Sequence, residues 1–369
     1  MDDTKGVDYS LLDPFKIAAQ TSARETSHHL KRFGYTEVEE SRGESAYLIE
    51  TPWGYLAHVE EGLGTKNIVA DKYFEDQPNY ECVGQDTVAM IVNDMVTLGA
   101  QPISLQMHVA AGASEWFSNK ARADSLIRGW KRGCDLARCA WGGGETPALK
   151  DIVMPGTVVL SGSAMGVIRD KSYRIQERIE PGDSIILLES TGIHANGLTD
   201  ARNLADSLTT AAHNGYHTRL PDGRTYGEHL LQPTPIYSRF IEACEYAKVD
   251  IHYAVNITGH GWRKLMRPRR PFAYVIEKLP PQKQIFDFLQ KGLSMSDKVA
   301  YAKFNMGAGF AIYVSGEDTD KVLDLLNHYN VGGDHIRGFV AGHIEAAETA
   351  RVEIRPKGIV YGAETLQIR

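Results

Sequence analysis

The stretch Val83 to Gly99, VGQDTVAMIVNDMVTLG, constrains the fold more than any other, because one short helix here needs two very different surroundings. At about 100° per residue, with Asp86 at zero, Ile91, Met95, Val88, Val92, Val96 and Ala89 fall on one contiguous apolar arc. Asp86, Asn93, Thr97, Asp94 and Thr87 fill the opposite side. The apolar arc must lie on a core, and the polar arc needs water, partner groups or a ligand. Asp86 and Asn93 stand roughly 10 Å apart along the axis at ~1.5 Å rise per residue. Oxygen ligands spread over that distance suit magnesium along a nucleoside triphosphate, since magnesium is usually bound through one or two carboxylates plus substrate phosphates. From the helix alone, the simpler reading of a solvated polar face stays open.

The chain has 369 residues, room for two domains at roughly 100 to 200 residues each. A net charge of −7 with no basic run gives no nucleic-acid surface, so no nucleic-acid partner is expected. The first residues, MDDTKGVDYSLLDPFK, lack a basic segment followed by an apolar one, and no apolar run is long enough to span a membrane. A cytoplasmic protein without a membrane partner is the expectation. Cys82, Cys134, Cys139 and Cys244 form no CxxC pair and are read as reduced, packed thiols.

Along the chain, residues 1 to 30 read as an entry segment and a short helix, with Gly34 as its stop. AYLIETPWGYLAHVE carries a hairpin signal turning at Pro52 to Gly54. ISLQMHVAAG and Thr157 to Ile168 read as strands, with a helical pattern from about Ser118 to Ala140 that breaks at GGGET. The charged stretch Arg169 to Asp183, with Pro181-Gly182, marks a boundary between domains at 1–170 and 171–369. Beyond it strands are expected at Ser184 to Glu189, Ala273 to Ile276, Gly309 to Val314 and Gly338 to Ile344. Helices are expected at Leu198 to Ala211, Pro235 to Ala247, Gln282 to Leu289 and Thr319 to His328. The tail RVEIRPKGIVYG reads as a hairpin. Mixed elements in both halves indicate α/β or α+β domains.

Five Gly-bearing turns carry the remaining chemistry: EEGLGTK at 60 to 66, GGGET at 142 to 146, TGIHANG at 191 to 197, NITGHG at 256 to 261 and FNMGAG at 304 to 309. Glycine lets the backbone approach phosphate oxygens and present its N–H groups. None is a Walker A loop or a GxGxxG following a strand. Lys66 can reach a phosphate or be a surface charge. Glu145 can meet a metal. His194 can move a proton near neutral pH or cap the next helix.

Taken in order, GLGTK, GQDTVAMIVNDMVTLGAQP, GGGET, PGDSIILLESTGIHANG, HLLQPTPIY, NITGHG and FNMGAGF resemble the aminoimidazole ribonucleotide synthetase family, the phosphoribosylformylglycinamidine cyclo-ligases. The resemblance runs from about residue 60 to 315. It places the chain in the ATP-dependent superfamily that includes selenophosphate synthetase, thiamine monophosphate kinase and a hydrogenase-maturation enzyme. HLLQPTPIY and FNMGAG favour the cyclo-ligase. No cysteine precedes Cys82, as selenophosphate synthetase would need, and the chain ends Leu366-Gln367-Ile368-Arg369 without the terminal cysteine of the maturation enzyme.

The resemblance implies an α+β fold: an N-terminal α+β domain whose strands form a β-barrel across a homodimer, and a C-terminal α/β domain. It also implies a ligase of purine biosynthesis that uses ATP and Mg2+ to phosphorylate the formyl amide oxygen of formylglycinamidine ribonucleotide, so that a substrate nitrogen closes the imidazole. Carried over by position, Asp86, Asp94 and Glu145 would hold the metal. Glu61, Gly64, Thr65, Lys66, Asp86, Asn93, Gly143, Gly144 and Glu145 would bind the nucleotide, with Lys66, Asp94 and His194 catalytic. His194, Asn196, Thr258 and Gly259 would contact the substrate.

Four departures stand beside it, one being GGETPALKD where the family reads GGETAEMPG. The family's Gly-rich loop near the N-terminus is replaced by FGYTEVEESRGESAYL, Glu61 stands where the family has Asp, and His260 intrudes into the TGGG run. A paralogue acting as a kinase or amide-activating enzyme on another small molecule, or a nucleotide-binding protein without turnover, therefore remains an alternative.

Overall fold

The computed structural model describes residues 9–328 and 336–366; the entry segment before Tyr9 and the last residues of the chain lie outside them. The first half contains α1 (Tyr9–Thr26), β1 (Thr36–Glu37), β2 (Tyr47–Glu50), β3 (Tyr55–Gly62), α2 (Lys66–Phe74), α3 (Glu81–Met95), β4 (Gln101–Ala111), α4 (Lys120–Ala137), β5 (Ala140–Glu145) and β6 (Val158–Ile168). Its strands form one six-stranded sheet in the order β1-β2-β3-β6-β4-β5. The hairpin expected at Pro52 to Gly54 is the β2–β3 turn, with Glu50 paired to Tyr55. The expected short N-terminal helix is the 18-residue α1, and Gly34 at φ 72° ends the 3₁₀ turn after it.

Alternation decides which face of this sheet is covered. Along β3, Tyr55, Ala57 and Val59 are buried, while His58 and Glu60 point to the other side. The apolar arc of α3 packs on the buried face: Val88, Ile91, Val92 and Met95 meet Leu48, Ala57, Val59, Leu105, Ala164 and Trp130. Close approach of α3 and α4 depends on glycine, since a Cβ on Gly129 would stand 1.9 Å from the Glu81 carbonyl oxygen. The opposite face of the sheet is uncovered in this single chain and exposes Ile103, Val159 and Met165.

The second half supplies β7 (Ser184–Glu189), α5 (Leu198–Leu208), α6 (Tyr226–Leu230), α7 (Ser238–Tyr246), β8 (Ile251–Asn256), β9 (Phe272–Ile276), α8 (Gln284–Gly292), α9 (Asp297–Lys303), β10 (Ala308–Val314), α10 (Gly316–His328), β11 (Gly338–Ala346), β12 (Arg351–Ile354) and β13 (Ile359–Gly362). Its seven strands run in the order β13-β12-β9-β11-β7-β10-β8. All neighbours are antiparallel except β12 with β9. Both faces are covered, so β10 is buried at every residue and reads as a continuous apolar run rather than an alternating one.

The polar arc of α3 makes the seam between the two sheets. It is neither solvated nor open to a ligand along most of its length. Asp86, fully buried, accepts from the Thr234 N–H at 2.7 Å, the Thr234 hydroxyl at 2.8 Å and the Lys66 ammonium. Lys66 also donates to the Gln232 carbonyl at 2.7 Å. Gln85 donates to the Thr234 carbonyl, and Asn93 binds the Tyr237 N–H and the Pro235 carbonyl through its two amide atoms. One helix face thus satisfies the extended backbone of 232–237, the QPTPIY run.

A buried ion pair that loses one member leaves an uncompensated charge, at a cost of about 3–5 kcal/mol. Lys66→Met and Asp86→Asn are each expected to destabilise the chain by about that amount in urea unfolding. The double variant should lose clearly less than the sum; additive losses would show that the two groups do not act as a pair.

Candidate active site

Asp94 is the carboxylate of the α3 polar arc that leaves the seam. It is half-buried, and its Oδ1 accepts from the Asn256 amide at 2.7 Å, where β8 ends. Glu61 approaches from the end of β3, on the helix-covered side of the first sheet. Lys264 comes from the 3₁₀ turn Gly261–Met266, which follows β8 through His260 in the left-handed region at φ 73°. Its ammonium donates to the Thr258 hydroxyl at 2.5 Å and the Asn256 carbonyl at 3.2 Å. Two carboxylates, a lysine, an amide and a hydroxyl thus converge where the two sheets meet.

Burial and mutual charge perturb this cluster in opposite directions. Desolvation, with Asp94 adding repulsion, pushes Glu61 up to about 7. Desolvation brings Lys264 down to about 8, opposed by attraction to Asp94 and Glu61. A carboxylate held uncomfortably near a second one is a site that gains from an added cation. The donor set is hard oxygen, and two carboxylates plus phosphate oxygens meet magnesium's ordinary demand. Glu61 and Asp94 therefore fit that ion, although no group of three or more acidic, His or Cys side chains suited to a metal occurs among the described residues.

The other sequence candidates divide. Thr258 and Gly259 lie at the cluster, beside Lys264. The turn holding Gly64 and Thr65 abuts the turn holding His194 and Asn196, with the Ala195 carbonyl 3.8 Å from where a Gly64 Cβ would stand. In that second turn the buried Nδ2 of Asn196 has no hydrogen-bond partner among the described residues.

Lys66, Asp86 and Asn93, expected at the nucleotide and its metal, lie in the seam between the sheets. Their hydrogen bonds run to one another and to 232–237, which ties the two sheets together there. His194, expected to move a proton or cap the next helix, is enclosed within its own turn. It is buried, desolvation with the nearby Lys66 charge lowers it to about 3, and its Nε2 accepts the Thr191 N–H at 3.3 Å. The ring is neutral at physiological pH.

GGGET is a strand, not a turn. Gly144 sits so close to β4 that a Cβ would stand 1.8 Å from the Met107 carbonyl oxygen. In the register Glu61–Gly162–Met107–Gly144, this strand lies three steps from Glu61, roughly 14 Å at ~4.8 Å per strand. Glu145 pairs with His108, and His108 with Ser161, on the uncovered face. Within one chain, Glu145 therefore cannot share an ion with Glu61 and Asp94. Gly143 and Gly144 are remote from that cluster for the same reason.

The stretch replacing the Gly-rich loop is pinned. Arg267 donates to the Ser45 hydroxyl at 2.6 Å and the Gly43 carbonyl at 2.8 Å, and pairs with Glu44. Arg269 reaches the Glu40 carbonyl at 3.2 Å, and the Tyr253 hydroxyl donates to Glu44 at 2.9 Å.

Sequence reasoning missed Lys264 and Asn256 as members of the site. Asn256 opens the NITGHG run, but Lys264 lies beyond it, and only the 3₁₀ turn returns its side chain to the end of β8.

Family models described as AIR synthase related protein match at residues 43–168 for the N-terminal domain and 180–353 for the C-terminal domain. The phosphoribosylformylglycinamidine cyclo-ligase of Methanococcus maripaludis (strain C6) is 33% identical over 305 residues, covering 82% of each chain. That of Methanocaldococcus jannaschii is 32% identical over 278 residues, covering 75% of this chain and 76% of the relative. Among solved structures, a hydrogenase maturation protein HypE in complex with ATP shares the fold, with TM-score 0.57, 16% identity, and coverage of 83% of this chain and 84% of that one.

In the ligand-free protein, Glu61 is expected to titrate near pH 7, followed through its protonated-carboxyl infrared band. Because its folded value lies above the unfolded one, its stabilising contribution is present below about 4.5 and lost as pH rises through about 7. Asp94→Asn should move the Glu61 midpoint down; an unmoved midpoint would mean the two carboxylates do not interact.

Proposed function

We propose that this chain, which belongs to the AIR synthase related family, is an ATP-dependent cyclo-ligase that closes formylglycinamidine ribonucleotide to aminoimidazole ribonucleotide in purine biosynthesis. The observation that carries the reading is the convergence of Glu61, Asp94 and Thr258 with a lysine at the junction of the sheets, in a chain a third identical to proteins named for that reaction. ATP's terminal phosphoryl group passes to the formyl amide oxygen. A substrate nitrogen then attacks the activated carbon, and phosphate leaves with that oxygen. Such chemistry needs positioning and charge neutralisation more than a protein nucleophile.

Magnesium, when bound, would neutralise phosphate charge, held by Glu61 and Asp94. The Thr258 hydroxyl and the Gly259 backbone line the same wall. The unpartnered Asn196 amide would donate to the substrate, and a neutral His194 would shape the turn that presents it. Lys66, Asp86 and Asn93 act on the site by holding the sheets together.

The chain is further proposed to work as a homodimer. The uncovered sheet face with Ile103, Val159 and Met165, ending in β5, is the surface a second copy would cover. In that arrangement Gly143, Gly144 and Glu145 would lie at the interface.

Purified protein with Mg2+, ATP and formylglycinamidine ribonucleotide should yield ADP and the imidazole product together. Absence of both beside a competent control enzyme would sink the reading, and ADP formed only with another acceptor would favour a kinase of the same fold. Asp94→Asn is expected to lower kcat by at least about 100-fold while light scattering still reports a dimer; near wild-type turnover would place the metal elsewhere. His194→Ala should reduce turnover more than ATP affinity, and the reverse would make it a nucleotide-binding residue.

A further inference from the structure

Phosphoryl transfer from a polyphosphate needs cationic charge close to the phosphates, and the lysine that sequence assigns to that task is unavailable. Lys66 is fully buried and is held by Asp86 and the Gln232 carbonyl. Two arginines in and just after the turn that carries Lys264 are committed as well. Arg263 donates to the carbonyls of His260, Thr365 and Ala302, and Arg267 to Ser45 and Gly43.

Lys264, which also makes two hydrogen bonds, is differently placed because it is only half-buried, whereas Lys66 is fully enclosed against Asp86. An ammonium has three donors, and two of them go to Thr258 and the Asn256 carbonyl. The third has no partner among the described residues. Those two anchors hold the charge where it is attracted by both Asp94 and Glu61. Asp94 is itself fixed by Asn256, so β8 and the turn after it position both signs of charge. With both carboxylates ionised, the three groups sum to one negative charge; without the lysine they would sum to two. We propose that Lys264 is the tethered cation of this cleft, a catalytic residue whose spare N–H receives the nucleotide's phosphate oxygens and whose charge offsets part of what a divalent ion must neutralise between Glu61 and Asp94. This rests on the nucleotide-dependent reading of the site, but not on the identity of the acceptor.

The test is binding, not turnover. Lys264→Gln should bind Mn2+ about tenfold more tightly without nucleotide, read by electron paramagnetic resonance, because a like-sign repulsion on the metal is removed. The same variant should bind the imido analogue of ATP about tenfold more weakly in the presence of a chelator, because a phosphate partner is lost. Lys264→Arg, which keeps the charge, should stay near wild type in both. Unchanged affinities in Lys264→Gln would overturn the assignment.

A measurement on the wild-type chain guards against a variant that does not fold. The Lys264 ¹⁵Nζ resonance should shift when the chelated analogue is added, and an unmoved resonance would also overturn it. Binding shifts of this kind without ring closure of formylglycinamidine ribonucleotide would leave Lys264 in place and remove the cyclo-ligase reading. Intact ring closure with unshifted binding would do the reverse.

Discussion

The buried pair Lys66–Asp86 is the interaction around which the two sheets are set. Alone, two ions without solvent would be a poor bargain, because desolvation offsets most of their attraction. Here the remaining valences are filled: Asp86 takes two further hydrogen bonds from Thr234, and Lys66 gives one to Gln232. Gln85 and Asn93 extend the same contact along α3 to Tyr237. The segment they bind runs directly into α7, which packs on one face of the second sheet through Phe240, Ile241 and Cys244. A polar helix face in the middle of the molecule therefore sets how the two halves meet, and with that how β3 and α3 face the end of β8.

The candidate site follows from that docking. Glu61 and Asp94 belong to one sheet and its helix, Asn256, Thr258 and Lys264 to the other. Neither half has the cluster by itself. The pinned stretch 40–45, held by Arg267, Arg269 and Tyr253, forms a second tie between the same halves. The relative position of the groups contributed by the two halves is thus set without a ligand, which reduces the ordering that binding at their junction would cost.

Much of the fold was legible because it is local. The Pro52 to Gly54 turn marks β2 and β3, β-branched and small residues mark β6, and RVEIRPKGIVYG forms the β12–β13 pair with its turn at Arg355 to Gly358. β8 and α9 were missed. β8 lies at the sheet edge with a half-buried His252 near its start and a buried Asn256 at its end, so its pattern is mixed, and α9 is a short helix defined by its Ser296 cap. GGGET read as a turn because glycine is the usual turn former, whereas here it allows an edge strand to lie against Met107. In the candidate site, motif position names Asp94, Glu61 and Thr258, and the fold brings them to the junction of the two sheets. Lys264 is not named that way, because no spacing in the sequence ties it to Asp94.

By itself the sequence determined the amphipathic division of α3, most of the strands and the motif order that marks the family. Those properties arise from periodicity and neighbouring residues, and they hold wherever the helix is placed. Tertiary structure alone decided what each polar side chain on that helix does. Asp86 finds its partner 148 positions away in Thr234, and Asp94 finds Asn256 162 positions away. Two carboxylates eight residues apart on one face look equivalent by helical geometry. One became the anchor of a buried ion pair and the other part of the cluster at the sheet junction, because the second half brought the Thr234 backbone to the first and the Asn256 amide at the end of β8 to the second.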